Sequence, residues 1–324
     1  MLSEAAARLL QSLLVLLTMS AVVFAGVYLI GNPLDMLIPP QASELERAQA
    51  GHALGLDQSL ITQYLLFLQH ALEGNLGRSF YSNSPALGLI LDRLPATIEL
   101  ALGAALIAVG LGVPIGIGCA WYAQRFGTRV LLGLATLGFS VPTFWVGLLL
   151  IMLFSVQLQW LPSGGRDASG HLFGIATSFG SWRGLSHLLL PAISLALFKL
   201  ALLIRLTYAA TREVLQQDFI LAARARGVAL PRLLGVHVLR NIGVSLTQVI
   251  GLEFGALVAF SIVTESVFAW PGMGKLLIDA INSLDRPVVV AYLLVTVTLF
   301  TAINLVVDLI ALVLDPRLRR AGLQ

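Results

Sequence analysis

The sequence predicts an all-α integral membrane protein with six transmembrane helices and a small external helical cap after the first of them. Three observations carry this. Hydrophobic residues make up 57% of the 324-residue chain and charged residues only 11%, against roughly 45–50% and about 25% in soluble domains. Apolar stretches long enough to cross a hydrocarbon layer, about 20 residues of helix, recur along the whole length. Finally, the basic residues are unevenly shared among the segments between those stretches.

The first stretch runs from Leu9 to Ile30. Its apolar run is longer than a typical signal-peptide core and no small-residue cleavage site follows, so it is kept as a helix. The segment from Gly31 to Pro95 forms the external cap: Ser43 is placed to cap a helix through Glu44, Leu45 and Glu46, and Asp57 one through Ile61, Tyr64, Leu65 and Leu68.

The second span, Ala96 to Trp121, holds Pro114 among Gly110, Gly112, Gly116 and Gly118, a composition that kinks a helix or lets a neighbour approach closely. The third, Val130 to Val156, contains Pro142 as a second kink site. Gln157 to Ser186 is rich in Gly and Ser and reads as a loop. The fourth, fifth and sixth spans run from His187 to Ile204, Ile242 to Val263 and Val288 to Leu314. Residues 1–324 thus form one membrane domain, with no segment that looks like a separate soluble unit.

Lys and Arg are retained on the cytoplasmic side of a membrane. With the N-terminus inside, the inner segments hold Arg8, Arg125, Arg129, Arg205, Arg212, Arg224, Arg226, Arg232, Arg240, Arg317, Arg319 and Arg320. The outer segments cover nearly twice the chain length but hold only Arg47, Arg78, Arg93, Arg166, Arg183, Lys275 and Arg286. Both termini are therefore expected in the cytoplasm, in a multi-pass protein surrounded by lipid. A net charge of +3 distributed this way orients a membrane protein and argues against nucleic-acid binding.

Other classes are poorly supported. The single cysteine, Cys119, lies in an apolar run, where packing is its expected role, and excludes an intrachain disulfide. His52, His70, His171, His187 and His237 show no metal-ligand spacing, so no metal site is expected. No serine has a catalytic frame, and no enzyme activity is expected of this chain. No phosphate-cradling loop ending in Gly-Lys-Ser/Thr is present; the nearest string, Gly272-Met-Gly274-Lys275-Leu276, lacks the spacing and the hydroxyl.

The sizeable inward-facing segment, Arg205 to Asn241, is where function is sought. Asp218 is placed to cap a helix in which Ala222, Ala223 and Ala225 offer small surfaces, and Gly227 can take the left-handed conformation that ends helices. Pro231 suits the first turn of a second helix. The expected product is a helix, a tight turn and another helix, with Arg224, Arg226 and Arg232 available to water or a partner. Taken alone, this is also what any basic amphipathic loop looks like.

Ala222-Ala-Arg-Ala-Arg-Gly227 followed by His237-Val-Leu-Arg-Asn241 resembles the coupling-helix signature of binding-protein-dependent importer permeases. The variant is that of the dipeptide, oligopeptide and nickel subfamily. The general family has Glu-Ala-Ala before the glycine and Leu-Pro after it; here Leu221-Ala222-Ala223 and Leu239-Arg240 stand there, which argues against a sugar-type permease. Further fragments agree in order: Gly55-Leu-Asp-Gln58, Leu94-Pro-Ala-Thr-Ile-Glu99, Ser140-Val-Pro-Thr-Phe-Trp145, Leu190-Pro191, Arg205, Thr264-Glu-Ser-Val-Phe-Ala-Trp-Pro-Gly-Met-Gly274, Asn304 to Asp308, and Asp315-Pro-Arg317.

The resemblance implies a type I ABC importer permease fold in a bacterial inner membrane. Its implied partners are a second homologous permease subunit, two ATP-binding subunits and an extracytoplasmic substrate-binding protein. It also implies that ATP and Mg are used by the partners, with no cofactor held by this chain. The ATPase contact is expected at Asp218, Ala222, Ala223, Arg224, Arg226, Gly227, Pro231 and Arg232. Short peptides are the default cargo. Phe154-Ser-Val-Gln-Leu-Gln-Trp-Leu-Pro162 also resembles the nickel-importing branch, leaving a metal complex or metallophore open, as are glutathione and opines. The alternative of a different class is a stand-alone secondary transporter or channel.

Charged residues inside spans normally face a bundle interior or a watery cavity. Asp308, one turn after Asn304, is expected as a structural polar contact between helices, and Glu99 as a carboxylate at a helix start, where the dipole favours it. Lys199 and Glu253 lie in consecutive spans. Either they neutralise one another, or they line the pathway and meet the ends of a zwitterionic peptide. The Trp270-Pro-Gly-Met-Gly274 turn reads either as an outer element that meets a delivery protein or as a packed loop.

Overall fold

The computed structural model describes residues 2–29, 58–138, 141–172 and 175–314. The helix expected after Ser43, the Asp57 cap, Arg47 and the basic residues Arg317, Arg319 and Arg320 lie outside them.

Helix α1 is Leu2–Leu29 and α2 is Leu60–Leu72. Ser59 caps α2: its hydroxyl accepts from Thr62 N at 3.3 Å. Tyr64 ties α2 to α1, its hydroxyl 2.8 Å from Ser20 Oγ and donating to Leu17 O at 3.1 Å. Ile61 and Leu65 of α2 are exposed.

Helix α3, Ala86–Trp121, is 36 residues long and begins ten residues before the expected span. Helix α4 is Phe126–Gly138; α5 is Thr143–Leu150, continuing in π-helical turns over Ile151–Gln157. The expected third span is therefore not one helix. Its halves meet at 107°, and Pro142 stands at the start of the second. Proline has no N–H to donate and restricts the residue before it, so a helix can begin there but not run through. Among the described residues five helices can cross a membrane by length and composition, and the bent pair, counted as one, makes a sixth.

Strands β1 (Gly170–Leu172) and β2 (Ile175–Thr177) pair antiparallel, with Gly170 opposite Thr177, inside the segment expected to be loop. Then come α6 (Trp182–Leu215), α7 (Asp218–Ala225), α8 (Leu230–Phe260), α9 (Ile262–Val267), α10 (Met273–Asn282) and α11 (Arg286–Leu314). The second helix of the expected hairpin and the fifth span are one element, α8, which passes through π-helical turns at Leu233–Val238.

The core lies where α3 and α6 run against each other. Leu100, Ala101, Ala104 and Ala108 of α3 are buried with Leu188, Ala192, Leu195 and Ala196 of α6. Two of the four flagged glycines make the approach close: a β-carbon at Gly116 would lie 2.6 Å from Thr207 Cβ, and one at Gly112 3.0 Å from Leu203 Cβ. With no hydrophobic drive between helices in lipid, such small-residue contacts hold spans together through dispersion. Gly110 and Gly118 meet nothing within 4 Å. Leu9, Leu10, Leu13, Leu14 and Leu17 of α1 are all exposed, as suits a helix whose surroundings are lipid tails.

Candidate functional site

The site grows from the way α6 leaves the bundle. The helix continues a full eleven residues past the expected end at Ile204 and stops at Leu215, carrying the chain beyond the apolar core. After Gln216 and Gln217, α7 begins. Gln217, without a side-chain cap bond, is its N-cap, and Asp218 lies in its first turn rather than capping it. The carboxylate there still meets the positive end of the helix dipole.

At the other end of α7 the expectation for Gly227 holds. Its φ is +76°, a region that favours glycine. Val228 N donates to Ala223 O at 3.2 Å and Gly227 N to Arg224 O at 2.9 Å, the paired bonds of a Schellman termination. Pro231 lies in the first turn of α8, where its missing N–H is no loss.

This hairpin has two faces. Ile220, Ala223, Leu233, Val238, Ile242 and Leu246 form a buried cluster, against which pack Val113, Ile117 and Trp121 of α3 and Ala210, Val214 and Leu215 of α6. Ala223, expected at the partner contact, therefore faces inward. The opposite face exposes Asp218, Phe219, Leu221, Ala222, Arg224, Arg226 and Gly227 of the turn and, beyond it, Pro231, Arg232 and Val236. Apolar side chains interleaved with arginines at the end of a bundle, beyond the apolar core, are what a protein partner covers. Arg224 also lies over the ring of Trp121, the last residue of α3, 4.5 Å from its centroid.

The in-span charges are resolved as follows. Lys199 of α6 and Glu253 of α8 form an ion pair, and their side chains are 14% and 23% exposed. Asp308 pairs with Arg8 of α1 at 3.0 Å, which is the expected contact between helices. Asn304 faces α8 beside Gly255, and its Oδ1 makes no hydrogen bond. Glu99 does not start a helix: it lies well inside α3 and is 5% exposed. Its carboxylate accepts from Arg166 Nη2 at 2.5 Å and Nε at 3.1 Å, and from Ser178 N at 2.7 Å. It thus fastens the segment between α5 and α6 onto the bundle. In the same segment Asp167 accepts from Ser169 N at 2.9 Å and lies 3.0 Å from Arg183 Nε. The Ser169 hydrogen bonds first, and the nearby Arg183 and His187 charges after them, hold the Asp167 carboxyl below its ordinary range.

Sequence reasoning passed over Glu265, which is fully buried. Thr97 and Ser261 hydroxyls donate to its Oε1, both at 2.8 Å, and Lys275 N donates to Oε2 at 3.0 Å. A β-carbon at Gly272 would overlap this carboxylate. Trp270, Phe268 and Met273 are buried too, and Trp270 Nε1 donates to Ala96 O at 2.8 Å. The turn is thus packed against the start of the second span. A glutamate inside an apolar run beside Trp-Pro-Gly was the available signal.

A long-helix bundle with broken elements at one end and a packed helical hairpin at the other is the architecture of a membrane permease. The solved structure of the methionine ABC transporter MetNI, in an inward-facing form, has this fold: TM-score 0.57, 17% identity, over 71% of this chain and 98% of that one. Residues 112–320 match the family model of the binding-protein-dependent transport system inner membrane component, and residues 1–101 match that family's N-terminal model. The chain belongs to this family, as a permease and not an enzyme. It is similar, at 35% identity, to a dipeptide transport system permease protein of Alkalihalophilus pseudofirmus, over 98% of this chain and 100% of that one. A di/tripeptide permease protein of Pseudomonas aeruginosa is 38% identical over 91% of this chain and 92% of its own. A glutathione permease protein of Salmonella choleraesuis is 36% identical over 98% and 99%.

Proposed function

We propose that this chain forms half of the pathway through which an ATP-driven importer carries short peptides across a bacterial inner membrane. The other half is a second, homologous permease. Both termini and the hairpin face the cytoplasm, where two ATP-binding subunits use ATP and Mg; this chain holds no cofactor. An extracytoplasmic binding protein delivers the cargo at the far end.

The observation that carries this is the two-faced hairpin. Asp218, Ala222, Arg224, Arg226, Gly227, Pro231 and Arg232 stand on its outer side, while Ile220, Ala223 and Leu233 root it in α3 and α6. A partner can drive transport only if its closed and open forms bind this surface differently, which biases one arrangement of the spans over another. Peptide cargo is supported by the dipeptide, di/tripeptide and glutathione permease proteins that the chain is similar to.

Reconstitution in proteoliposomes tests the proposal. The assembled permease pair, ATPases and binding protein are expected to accumulate labelled dialanine with ATP, and the permeases alone to accumulate none. Accumulation by this chain alone along an ion gradient would refute it.

A further inference from the structure

We infer that the Lys199–Glu253 pair is a charge lock in the translocation pathway, and that a peptide passes by exchanging its own termini for the two partners. This rests on the transport reading above and adds to it the site at which the permease meets its cargo.

An ion pair in the interior of a membrane protein is a poor way to gain stability, because removing both charges from water offsets most of their attraction. Two apolar side chains would serve packing better. The pair is also not sealed inside the bundle: Lys199 and Glu253 keep 14% and 23% of their side-chain surface. Facing lipid, that surface would be costly, so it belongs to a watery cavity or to the seam with the second permease.

Position supplies the second argument. Lys199 is on α6 and Glu253 on α8, the two helices that the hairpin joins. Counting from the inner ends of the expected spans at Ile204 and Ile242, Lys199 lies about 8 Å and Glu253 about 17 Å along its helix at 1.5 Å per residue. Both positions fall inside a hydrocarbon core of about 30 Å. Helix α6 packs chiefly along α3, and α8 chiefly along α11. A motion imposed on the hairpin thus acts on two helix pairs that Lys199 and Glu253 clasp together.

Cargo chemistry completes the match. A zwitterionic dipeptide carries an ammonium and a carboxylate at most about 7 Å apart. The carboxylate satisfies Lys199 and the ammonium satisfies Glu253 once the lock has parted, so neither charge is left bare while peptide passes. With no peptide present the pair closes on itself and keeps ions from leaking.

The test uses the complete reconstituted transporter and compares uptake of dialanine with dialanine amide and with N-acetyl-dialanine. Lys199→Met is expected to lower the preference for the free acid over the amide by about tenfold, and Glu253→Gln the preference for the free amine over the acetylated peptide by a similar factor. Each leaves one charge unpaired, so the deciding variant is K199M/E253Q, which leaves none; K199E/E253K is read alongside it for assembly. Loss of both preferences in K199M/E253Q supports the lock. A K199M/E253Q transporter with wild-type rates and both preferences intact overturns it and leaves the pair structural. If the wild-type assembly carries none of the three peptides, the cargo reading fails and the lock fails with it.

Discussion

Arg224 of α7 lies over the ring of Trp121, its guanidinium carbon 4.5 Å from the ring centroid. The hairpin is thereby joined to the end of α3 by a directional contact in addition to apolar packing. A guanidinium on an aromatic face is attracted by the ring quadrupole, about 0.5–1 kcal/mol when exposed and more when desolvated. Arg224 thus belongs to the surface proposed for the ATPase and at the same time touches the end of α3.

Replacing Arg224 with Gln or Trp121 with Leu is expected to reduce uptake several-fold while ATP hydrolysis persists. In a double-mutant cycle the two changes should be coupled by about 0.5–1 kcal/mol. The measurement is peptide transported per ATP hydrolysed. An unchanged ratio in both variants would remove the stack from the path of transmission.

Gly227 gives a cleaner test of hairpin geometry. A β-carbon there meets nothing within 4 Å, so substitution acts through the backbone alone. At φ +76°, Gly227→Val is expected to be strongly unfavourable, Gly227→Ala to cost about 1 kcal/mol, and Gly227→Asn less. Copurification of the ATPase subunits should follow the order Gly, Asn, Ala, Val. Equal recovery of all four would show that the turn is not part of the docking surface.

The Glu265 knot predicts the largest stability effects. Glu265→Ala leaves the Thr97 hydroxyl and the Lys275 N–H without this acceptor, while the Ser261 hydroxyl keeps Val258 O at 3.0 Å, and each buried group left unpaired costs about 1–3 kcal/mol. Gly272→Ala drives a methyl into the same carboxylate. Both variants should unfold at lower temperature in detergent than Ala269→Gly, which relieves a residue at φ +47° and should be neutral or stabilising.

Most of the fold was legible because a membrane requires long apolar helices and glycine and proline punctuate them. The Gly227 stop and Pro231 follow from local chemistry, whereas the partner of Asp308, Arg8, stands 300 residues away. What misled was tertiary. The start of α3 and the end of α6 contain polar residues such as Asp92, Arg93, Arg205 and Arg212, and a hydropathy boundary cuts there although the helices continue beyond it. Glu99 read as a helix start only because its span was begun at Ala96. Its true partner, Arg166, stands 67 residues away, and no spacing rule reaches across that interval. Glu265 was hidden for the same reason: its donors come from α3, the end of α8 and α10.

Asp167 makes a prediction about pH. Its carboxyl is held below the ordinary range by Ser169 and then Arg183 and His187, so the folded form binds its proton less readily than the unfolded one. The stability it lends is present above the ordinary aspartate value, about 3.9, and is lost as pH falls through the lowered folded value. Limited proteolysis of the segment between α5 and α6 should be unchanged from pH 7 to 5. Asp167→Asn should accelerate it throughout that range; equal cleavage of the two proteins at pH 7 would show that the carboxylate does not hold the segment.

Glu99 and Arg166 test whether that segment is a working part or a covering. Their side chains are 5% and 16% exposed, so removing one partner strands a charge with little access to water. Breaking a buried pair in this way typically costs about 3–5 kcal/mol, whereas replacing both partners by apolar groups is often neutral. Glu99→Ala should therefore destabilise the detergent-solubilised permease markedly, and Glu99→Leu with Arg166→Met should recover most of the loss. Uptake separates the two roles. If the recovered double variant also transports at the wild-type rate, the bridge is only a fastening. If it is stable but slow, fixing the segment over α3 is itself part of the transport cycle, since α3 carries Thr97 to the Glu265 knot and ends at Trp121 under the hairpin arginine.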